Sequence, residues 1–307
     1  MLTMIDITLL GTGGTVPLPY RFLTSLLLRC NGHELLVDCG EGTQITLNKC
    51  GLSPKHIDAI LLTHFHADHT AGLPGLLLSM AKADRTEPIT IYGPKGLTEI
   101  MEGVALIARY IPFEVKLVEI DKDTTVIFDE INIHPIPLRH SVPCFGYSFE
   151  LSRRPKFERE KALANEVPLK FWGALQKGET IESEGKTYTP EMVLGKERKG
   201  LKVIYATDTR PVHALYEAAK NADLLITEGM YGDVEKIEKA KLNRHMMMQE
   251  ACDIASKANV RSMWLTHYSP SMHEPEIYEE ELKSLFTNTV ISRDGQHIDL
   301  SFVDEDE

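Results

Sequence analysis

Short apolar runs alternate with amphipathic segments along most of this chain. Runs rich in aliphatic and β-branched residues predict β-strands, and apolar positions spaced three and four residues apart predict helices. Turn residues such as Asn31-Gly32 and Gly93-Pro94 separate these segments. In the first part of the chain we predict strands at 5–10, 25–29, 34–38, 59–62 and 89–92, and helices at 44–50, 75–83 and 97–108.

The pattern continues with strands and then changes. Residues 152–202 contain 12 Lys and Arg against 8 Asp and Glu, although the whole chain has a formal net charge of −12. We therefore predict a single α/β domain over residues 1–307 with an inserted segment at about 152–200. The mixed order of strands and helices on both sides of the insertion favours a layered αββα arrangement. The further predicted strands are 113–118, 124–128, 131–138, 146–151, 203–206, 223–227 and 262–266, and the further helices are 211–220 and 246–257.

Composition narrows the class of protein. With 43% hydrophobic and 25% charged residues, the chain is typical of soluble globular proteins. No apolar run approaches the roughly 20 residues of a membrane span, and the first residues lack a signal-peptide pattern, so we expect a cytoplasmic protein. The five cysteines are scattered and never form a CxxC pair, which predicts buried thiols rather than disulfides or a thiolate zinc site. Taken alone, the acidic charge argues against a polyanionic partner.

The segment 64–69 has the sequence His-Phe-His-Ala-Asp-His, one residue after the apolar run 57–62. Neutral imidazole and carboxylate are ligands that suit zinc and its first-row neighbours. On a nearly extended chain, alternation places His64 and His66 on the same side, and Asp68 and His69 lie past the turn where they would reach a second ion. This cluster predicts a metal site; a polar surface loop is the alternative.

Three further residues of ligand type follow predicted strands. His140 comes after strand 131–138, Asp208 after strand 203–206, and His267 after strand 262–266. Each of them alone would more often be a structural polar residue. If the strands lie in one pair of packed sheets, side chains at their C-terminal ends converge.

The glycine-rich stretch Gly11–Gly14 does not predict a nucleotide cofactor. A GxGxxG motif would require glycine at Val16, and no Gly-Lys-Ser/Thr follows. We expect a tight turn beside the metal site instead. Arg21, Thr24 and Ser25 in the following loop are candidates for contact with a substrate phosphate, with a solvated loop as the alternative.

These motifs resemble those of metallo-β-lactamase-fold hydrolases over nearly the whole chain. Within that superfamily the chain is similar to ribonuclease Z, the family of endonucleases that remove the 3′ trailer of precursor tRNA. Glu228 lies in Thr-Glu-Gly-Met where that family has His-Glu-Ala-Thr, and His245 is followed by Met-Met where it has Ser-Thr. The other matching stretches are 11–14, 37–44, 72–76 and, for the tRNA-binding arm of the short form, 167–180.

The resemblance implies a four-layer αββα sandwich with an inserted, protruding tRNA-binding arm and two zinc ions per subunit, manganese or iron being alternative metals. One zinc would be held by His64, His66 and His140, the other by Asp68, His69 and His267, and Asp208 would bridge them.

The resemblance also implies the catalytic roles. Asp68 would orient the attacking water or take its proton, and His245, with Glu228 behind it, would protonate the departing 3′-oxygen. Asp38 is expected to hydrogen-bond a histidine ligand, with strand-end capping as its alternative. Cleavage would leave a tRNA 3′-hydroxyl and a 5′-phosphorylated trailer, and a homodimer is implied.

The basic segment reconciles an acidic protein with an RNA substrate, since it would hold the RNA backbone away from the acidic body. Its alternative is a solvated amphipathic surface. Two other functions stay open: hydrolysis of a small ester, lactone, thioester or cyclic nucleotide at the same metal site, and RNA binding by a module without metals. The basic residues concerned are Arg153, Arg154, Lys156, Arg159, Lys161, Lys170 and Lys177.

Overall fold

Two seven-stranded sheets contain most of the apolar runs of the sequence. The computed structural model describes residues 4–303, which divide into one unit formed by the chain up to Leu151 and from Leu201 onward, and a second unit, Ser152–Gly200. Numbered in order along the chain, the strands of the first sheet are β1 (Met4–Gly11), β2 (Ser25–Cys30), β3 (His33–Val37), β4 (Ile57–Leu61), β5 (Ile89–Gly93), β6 (Val115–Glu119) and β16 (His297–Ser301).

Both sheets mix parallel and antiparallel pairs. The first has the order β16, β1, β2, β3, β4, β5, β6, antiparallel up to β3 and parallel from there. The second sheet contains β7 (Val126–Phe128), β8 (Ile131–Pro137), β9 (Phe145–Arg153), β12 (Arg198–Ala206), β13 (Leu224–Glu228), β14 (Met263–Thr266) and β15 (Thr289–Ile291). Its order is β15, β14, β13, β12, β9, β8, β7, parallel from β12 to β15 and antiparallel from β7 to β9.

Alternation along the strands explains the four layers. In β3, Leu35 and Val37 pack into a core shared by the two sheets, whereas Leu36 packs against helices on the outer face. In β14, Trp264 points into the same shared core and Leu265 packs against the helices of the other outer layer. Because both faces of these strands are buried, they are continuous apolar runs in the sequence. The predicted αββα layering is confirmed.

Helices of the first unit cover the outer faces of the sheets. Between residues 4 and 303, no helix combines the length and the apolarity needed to cross a bilayer. The helices of this unit are α1 (Thr43–Lys49), α2 (Ala67–Thr70), α3 (Leu73–Lys82), α4 (Leu97–Ile107), α7 (His213–Ala219), α8 (Ile237–Asn243), α9 (Met248–Lys257) and α10 (Glu279–Leu285).

The second unit has a small core of its own. It contains α5 (Arg159–Ala164), α6 (Leu169–Gln176) and a hairpin of β10 (Ile181–Ser183) and β11 (Lys186–Tyr188). The two hairpin turn residues, Glu184 and Gly185, both have positive φ, as a type I′ turn requires. The core side chains are Ala162, Val167, Leu175, Tyr188 and Val193, with Phe157, Phe171 and Trp172 packed against them.

The predicted strands and helices are confirmed, with shifted ends. The largest shift is in β12, which begins at Arg198 instead of 203, because the charged residues at its start hide its strand character. Helix α2 was not predicted, since four residues are too few to show a helical period. The prediction of five buried thiols is wrong for Cys50, which is exposed; the other four are buried, and all five are free.

Candidate active site

The ends of strands from both sheets bring the predicted site residues together. Asp38 follows β3, His64 follows β4, Asp208 follows β12 and His267 follows β14, while Glu228 is the last residue of β13. Asp38, Asp208 and His267 have φ values of 58°, 57° and 57°, in the left-handed region. This conformation turns the chain sharply after the strand and aims each side chain into the cluster.

His64, His66 and His140 form one group with Asp208. His140 Nε2 lies 3.2 Å from His66 Nδ1 and 3.7 Å from Asp208 Oδ1. His64 Nε2 lies 3.9 Å from the same carboxylate oxygen. The ligand-type atoms of this group all lie within 4.8 Å of one another.

Asp68, His69 and His267 form a second group with the same aspartate. Asp208 Oδ2 lies 3.0 Å from His69 Nε2 and 3.2 Å from His267 Nε2, and these two nitrogens are 3.2 Å apart. Asp68 Oδ2 lies 3.3 Å from His267 Nε2. The two oxygens of Asp208 therefore face different groups, so one side chain would serve both.

Both groups fit metal ions. Among the described residues, the buried atoms His64 Nε2 and Asp208 Oδ2 have no hydrogen-bond partner, a costly arrangement unless another species satisfies them. Tetrahedral ligands about 2.0–2.1 Å from zinc lie roughly 3.3 Å apart. The 3.2 Å separations between imidazole nitrogens in both groups match that spacing. Burial favours protonated Asp208, but His267, His69 and His64 outweigh it and hold its pKa well below the usual range.

A buried network behind these groups orients the histidines. His69 Nδ1 donates to Asp38 Oδ2 at 2.8 Å, which leaves the His69 Nε2 lone pair directed at the second group. Asp38 Oδ1 accepts from the backbone N–H of Thr63, and the Thr63 hydroxyl contacts Asp38 as well as His64 Nδ1. The expectation that Asp38 hydrogen-bonds one of these histidines is confirmed.

Glu228 and His245 form a dyad next to the metal-ligand cluster. His245 Nδ1 donates to Glu228 Oε2 at 2.9 Å, and its Nδ1 is 3.9 Å from Asp208 Oδ1. Burial lowers the pKa of His245, but the charge and hydrogen bond of Glu228 outweigh it and raise the pKa to about 9. A raised pKa favours the protonated form of the His245 ring near neutral pH, the form that a general acid requires.

The glycine turn lies beside the cluster, as predicted. A Cβ added to Gly14 would come within 2.6 Å of the His267 ring, so only glycine lets the chain pass there. The next residue, Thr15, donates its backbone N–H to Asp68 Oδ2 at 2.7 Å. The turn thereby helps to fix Asp68.

Both interpretations of Arg21, Thr24 and Ser25 are wrong. All three side chains are buried, so this is not a solvated loop, and their polar groups bond to backbone carbonyls instead of facing a substrate. Arg21 donates to the carbonyls of Met272 and His273, Thr24 to that of Gly13, and Ser25 to that of Asp38. They tie the loops around the site together.

The departures from the family pattern near the dyad are linked in space. Met230 and Met247, each at a position where that pattern has threonine, pack in one cluster with Tyr231 and Ala240. Two polar positions have thus become a pair of apolar ones that contact the same core. Met247, the residue before helix α9, has no hydroxyl, and Glu250 Oε2 accepts its backbone N–H at 2.9 Å.

Sequence reasoning missed the residues that hold the dyad through the backbone. Thr209 donates its N–H to Glu228 Oε1 at 2.5 Å, and Arg210 Nη1 donates to the carbonyl of His245, also at 2.5 Å. A backbone donor has no residue-type signature. The signal available was the position of Arg210, two residues after the predicted ligand Asp208.

The chain is similar to curated proteins over nearly its full length. It is 48% identical over 304 residues to ribonuclease Z of Agathobacter rectalis, covering 99% of this chain and 100% of the relative. It is 51% identical over 294 residues to ribonuclease Z of Clostridium kluyveri, covering 95% and 97%. The chain belongs to the ribonuclease Z family. These relatives confirm the prediction that it is a hydrolase and an endoribonuclease.

Solved structures and a family model agree with the fold. Human tRNase Z, short form, has a TM-score of 0.67 and 25% identity and covers 95% of this chain and 98% of its own. The metallo-β-lactamase fold protein YhfI from Bacillus subtilis has a TM-score of 0.71 and 19% identity, covering 97% and 99%. The predicted metallo-β-lactamase fold is confirmed. The model of a family described as "Anti-Pycsar protein Apyc1" matches residues 5–290, so this member of the ribonuclease Z family belongs to that family too.

Proposed function

We propose that the chain removes the 3′ trailer of precursor tRNA by hydrolysing one phosphodiester, leaving a tRNA 3′-hydroxyl and a 5′-phosphorylated trailer. The observation that carries this proposal is the Glu228–His245 pair, held 2.9 Å apart beside two metal-ligand groups. An alkoxide leaving group such as a ribose 3′-oxygen needs a proton, and this pair supplies one. The names of the curated relatives point to the same substrate class.

The metal ligands in this proposal follow the two groups around Asp208. His64, His66 and His140 would hold one zinc, and Asp68, His69 and His267 the other. When bound, such ions polarise phosphoryl oxygens and lower the pKa of a water molecule toward 7. The two carboxylate oxygens of Asp208, each facing one group, would join the sites.

Asp68 and His245 act on opposite sides of the phosphate in this scheme. Although burial opposes it, the neighbouring His267 and His69 hold the pKa of Asp68 well below its usual range, which makes it a poor proton acceptor. We therefore assign Asp68 to orienting the attacking water. When the bond from phosphorus to the 3′-oxygen breaks, His245 Nε2 gives its proton to that oxygen, while Nδ1 stays bonded to Glu228.

Cleavage of a precursor tRNA tests the proposal directly. The purified protein, supplied with zinc, is expected to release an intact trailer with a 5′-phosphate and to lose this activity with a chelator. Transcripts with and without an encoded CCA end map the cleavage position. A protein that hydrolyses cyclic nucleotides but leaves the trailer attached would contradict the proposal. It would favour the second candidate, hydrolysis of a small phosphodiester at the same metal-ligand cluster.

The pH dependence of cleavage is expected to report on His245. Because the acid must be protonated and its pKa is raised to about 9, kcat/KM should fall as pH rises through about 9. Replacing Glu228 with glutamine removes the charge that raises this pKa, so the alkaline limb should move to lower pH. Initial rates with an enzyme-free control at each pH make the measurement. An alkaline limb at the same pH in the variant would exclude this pair as the acid.

We propose that the second unit, Ser152–Gly200, binds the tRNA as an arm. Its charge is opposite in sign to that of the rest of the chain, and Lys170, Lys177 and Lys186 are exposed on it. Cationic side chains bind RNA mainly through phosphates. The homodimer implied by the resemblance and the cytoplasmic location expected from the sequence composition remain part of this proposal.

Deletion of residues 153–199 is expected to weaken precursor tRNA binding severely while hydrolysis of bis(p-nitrophenyl) phosphate survives, since the metal ligands all lie outside the deletion. A gentler variant keeps the core of the unit and exchanges Lys170, Lys177 and Lys186 for glutamine. For every lysine that binds a phosphate, its exchange should reduce the slope of log affinity against log salt by about 0.7–0.9. Binding titrations at several salt concentrations measure it. Equal loss of both activities on deletion would assign the unit to folding.

A further inference from the structure

The segment Asp208-Thr209-Arg210 contacts both members of the acid dyad. The Thr209 backbone N–H donates to Glu228 Oε1, and the Arg210 guanidinium donates through Nη1 to the carbonyl oxygen of His245, each at 2.5 Å. The first residue of the same segment is the aspartate that faces both metal-ligand groups. One short loop after β12 therefore contains a residue of the metal-ligand cluster and also contacts both Glu228 and His245.

The Arg210 side chain is itself fixed. Its guanidinium pairs in a bidentate manner with Glu250, with Nη1 2.8 Å from Oε2 and Nη2 bonded to Oε1. Glu250 Oε2 also accepts the backbone N–H of Met247, so the pair is anchored to the start of helix α9. The Arg210 side chain is only 13% exposed. A planar guanidinium that bonds both to the Glu250 carboxylate and to the His245 carbonyl keeps one orientation, unlike the side chains of a surface ion pair.

The other fixed points around His245 lie on its backbone. The His245 N–H donates to the carbonyl of Ala240 in helix α8 at 2.8 Å. The carbonyl of His245 accepts from Arg210. The peptide groups on both sides of this residue are thus held, one by a helix end and the other by an arginine, and its ring is held by Glu228.

We propose that Arg210 is a positioning residue for protonation of the leaving oxygen. By holding the His245 carbonyl, and being held by Glu250, it fixes the place of His245 Nε2 relative to the departing oxygen. The inference rests on the proposed function in taking a ribose 3′-oxygen as that leaving group. The hydrogen bonds of the Arg210 guanidinium go to Glu250 and to the His245 carbonyl, so we assign it no direct part in the reaction.

The chemistry separates this role from a structural one. The attacking water first loses a proton to solvent, and its oxygen then bonds to phosphorus while the bond to the leaving oxygen breaks and its electron pair stays on that leaving oxygen. An alkoxide then needs the proton from His245, whereas p-nitrophenolate is stable as an anion and leaves without one. Misplacing the acid therefore slows alkoxide departure alone, and a misplacement of about 1 Å costs on the order of 10²-fold.

The test compares two substrates with the Arg210→Lys variant of the full chain. We expect kcat for precursor tRNA to fall by about 10²-fold with KM unchanged. Turnover of bis(p-nitrophenyl) phosphate and zinc per chain should stay at wild-type values. Lysine keeps the positive charge but lacks the planar guanidinium with its paired N–H donors, so a fall in kcat for precursor tRNA would be an effect of geometry and not of charge.

Arg85 provides a matched control. It is also buried and donates to backbone carbonyls, those of Lys55 and Ile57 among them, at the opposite ends of the strands from the site. Arg85→Lys is expected to lower stability while leaving the ratio of the two activities unchanged.

Proportional loss of both activities in Arg210→Lys, or undiminished tRNA cleavage, would overturn the proposal. If that variant does not fold, Glu250→Gln replaces it, because it leaves Arg210 in place but weakens its ion pair. A loss of tRNA cleavage alone supports the positioning role, and an equal loss of both activities rejects it. Wild-type protein that does not cleave precursor tRNA would refute the proposed function alone. The ratio is then measured with a cyclic nucleotide, whose leaving group is also an alkoxide. If the wild type hydrolyses neither, the positioning role falls as well.

Discussion

Replacing His245 with alanine is expected to lower the turnover of precursor tRNA by about 10²–10⁴-fold, the usual contribution of a general acid. His245 lies outside both groups of metal ligands around Asp208, and although it also forms a group with Glu228 and His267, its Nδ1 is bonded to Glu228, so we expect zinc per chain not to change. Single-turnover cleavage with a trailer-labelled substrate, together with metal analysis, measures both quantities. The activated diester bis(p-nitrophenyl) phosphate should still be hydrolysed.

His213 provides a control for this experiment. It is an exposed histidine at the start of helix α7, so alanine there changes residue type without touching the site. Near-normal tRNA cleavage by the His245 variant would remove it from the acid role. Loss of zinc in the same variant would instead make it a ligand.

Asp208→Asn is expected to have a comparably large effect for a different reason. The amide keeps the shape but offers one oxygen where the carboxylate offers two, each facing a separate group of ligands. Since bound ions contribute several kcal/mol to transition-state stabilisation, turnover on every phosphodiester should fall by roughly 10³-fold or more. Metal analysis should show less zinc per chain, and the stabilisation by zinc seen in thermal melting should shrink.

Asp223→Asn is the matched control. Asp223 is a buried aspartate just before β13, at the opposite end of that strand from Glu228, and it accepts the backbone N–H of Lys202. Its loss should affect stability but not zinc content. Full zinc occupancy and normal turnover in Asp208→Asn would reject the shared-ligand proposal.

The sequence was most informative where side chains of one type cluster. The His-Phe-His-Ala-Asp-His segment indicates a metal site by itself, and the strand-end rule relates it to His140, Asp208 and His267 up to about 200 positions away. Parallel strands make this possible, because their C-terminal ends meet at one edge of a sheet. The αββα layering was predictable for a similar reason: strands buried on both faces are continuous apolar runs.

Residues that act through the backbone were not predictable in this way. Arg210 reaches the carbonyl of His245, and Thr209 offers an N–H to Glu228. Any residue type has these backbone groups, so the sequence pattern does not reveal such bonds. The loop around Arg21 was misinterpreted for the same reason: a guanidinium in a loop suggests phosphate, yet here neighbouring carbonyls occupy it.

The departures at Met230 and Met247 show a third limit. Each one alone looks like the loss of a useful hydroxyl next to a catalytic residue. In the structure both side chains lie in one apolar cluster with Tyr231 and Ala240. That pairing depends on contact between segments that are separate in the sequence.

The left-handed backbone at Asp38, Asp208 and His267 restricts which residue types these positions tolerate. Asparagine, aspartate and glycine tolerate this conformation, whereas most other residues cost about 1 kcal/mol or more there. An alanine substitution at one of these positions would therefore combine two effects: it would remove the functional side chain and it would add backbone strain. Glycine is the substitution that removes the side chain without adding this local strain, and a variant library for this family should be built around it.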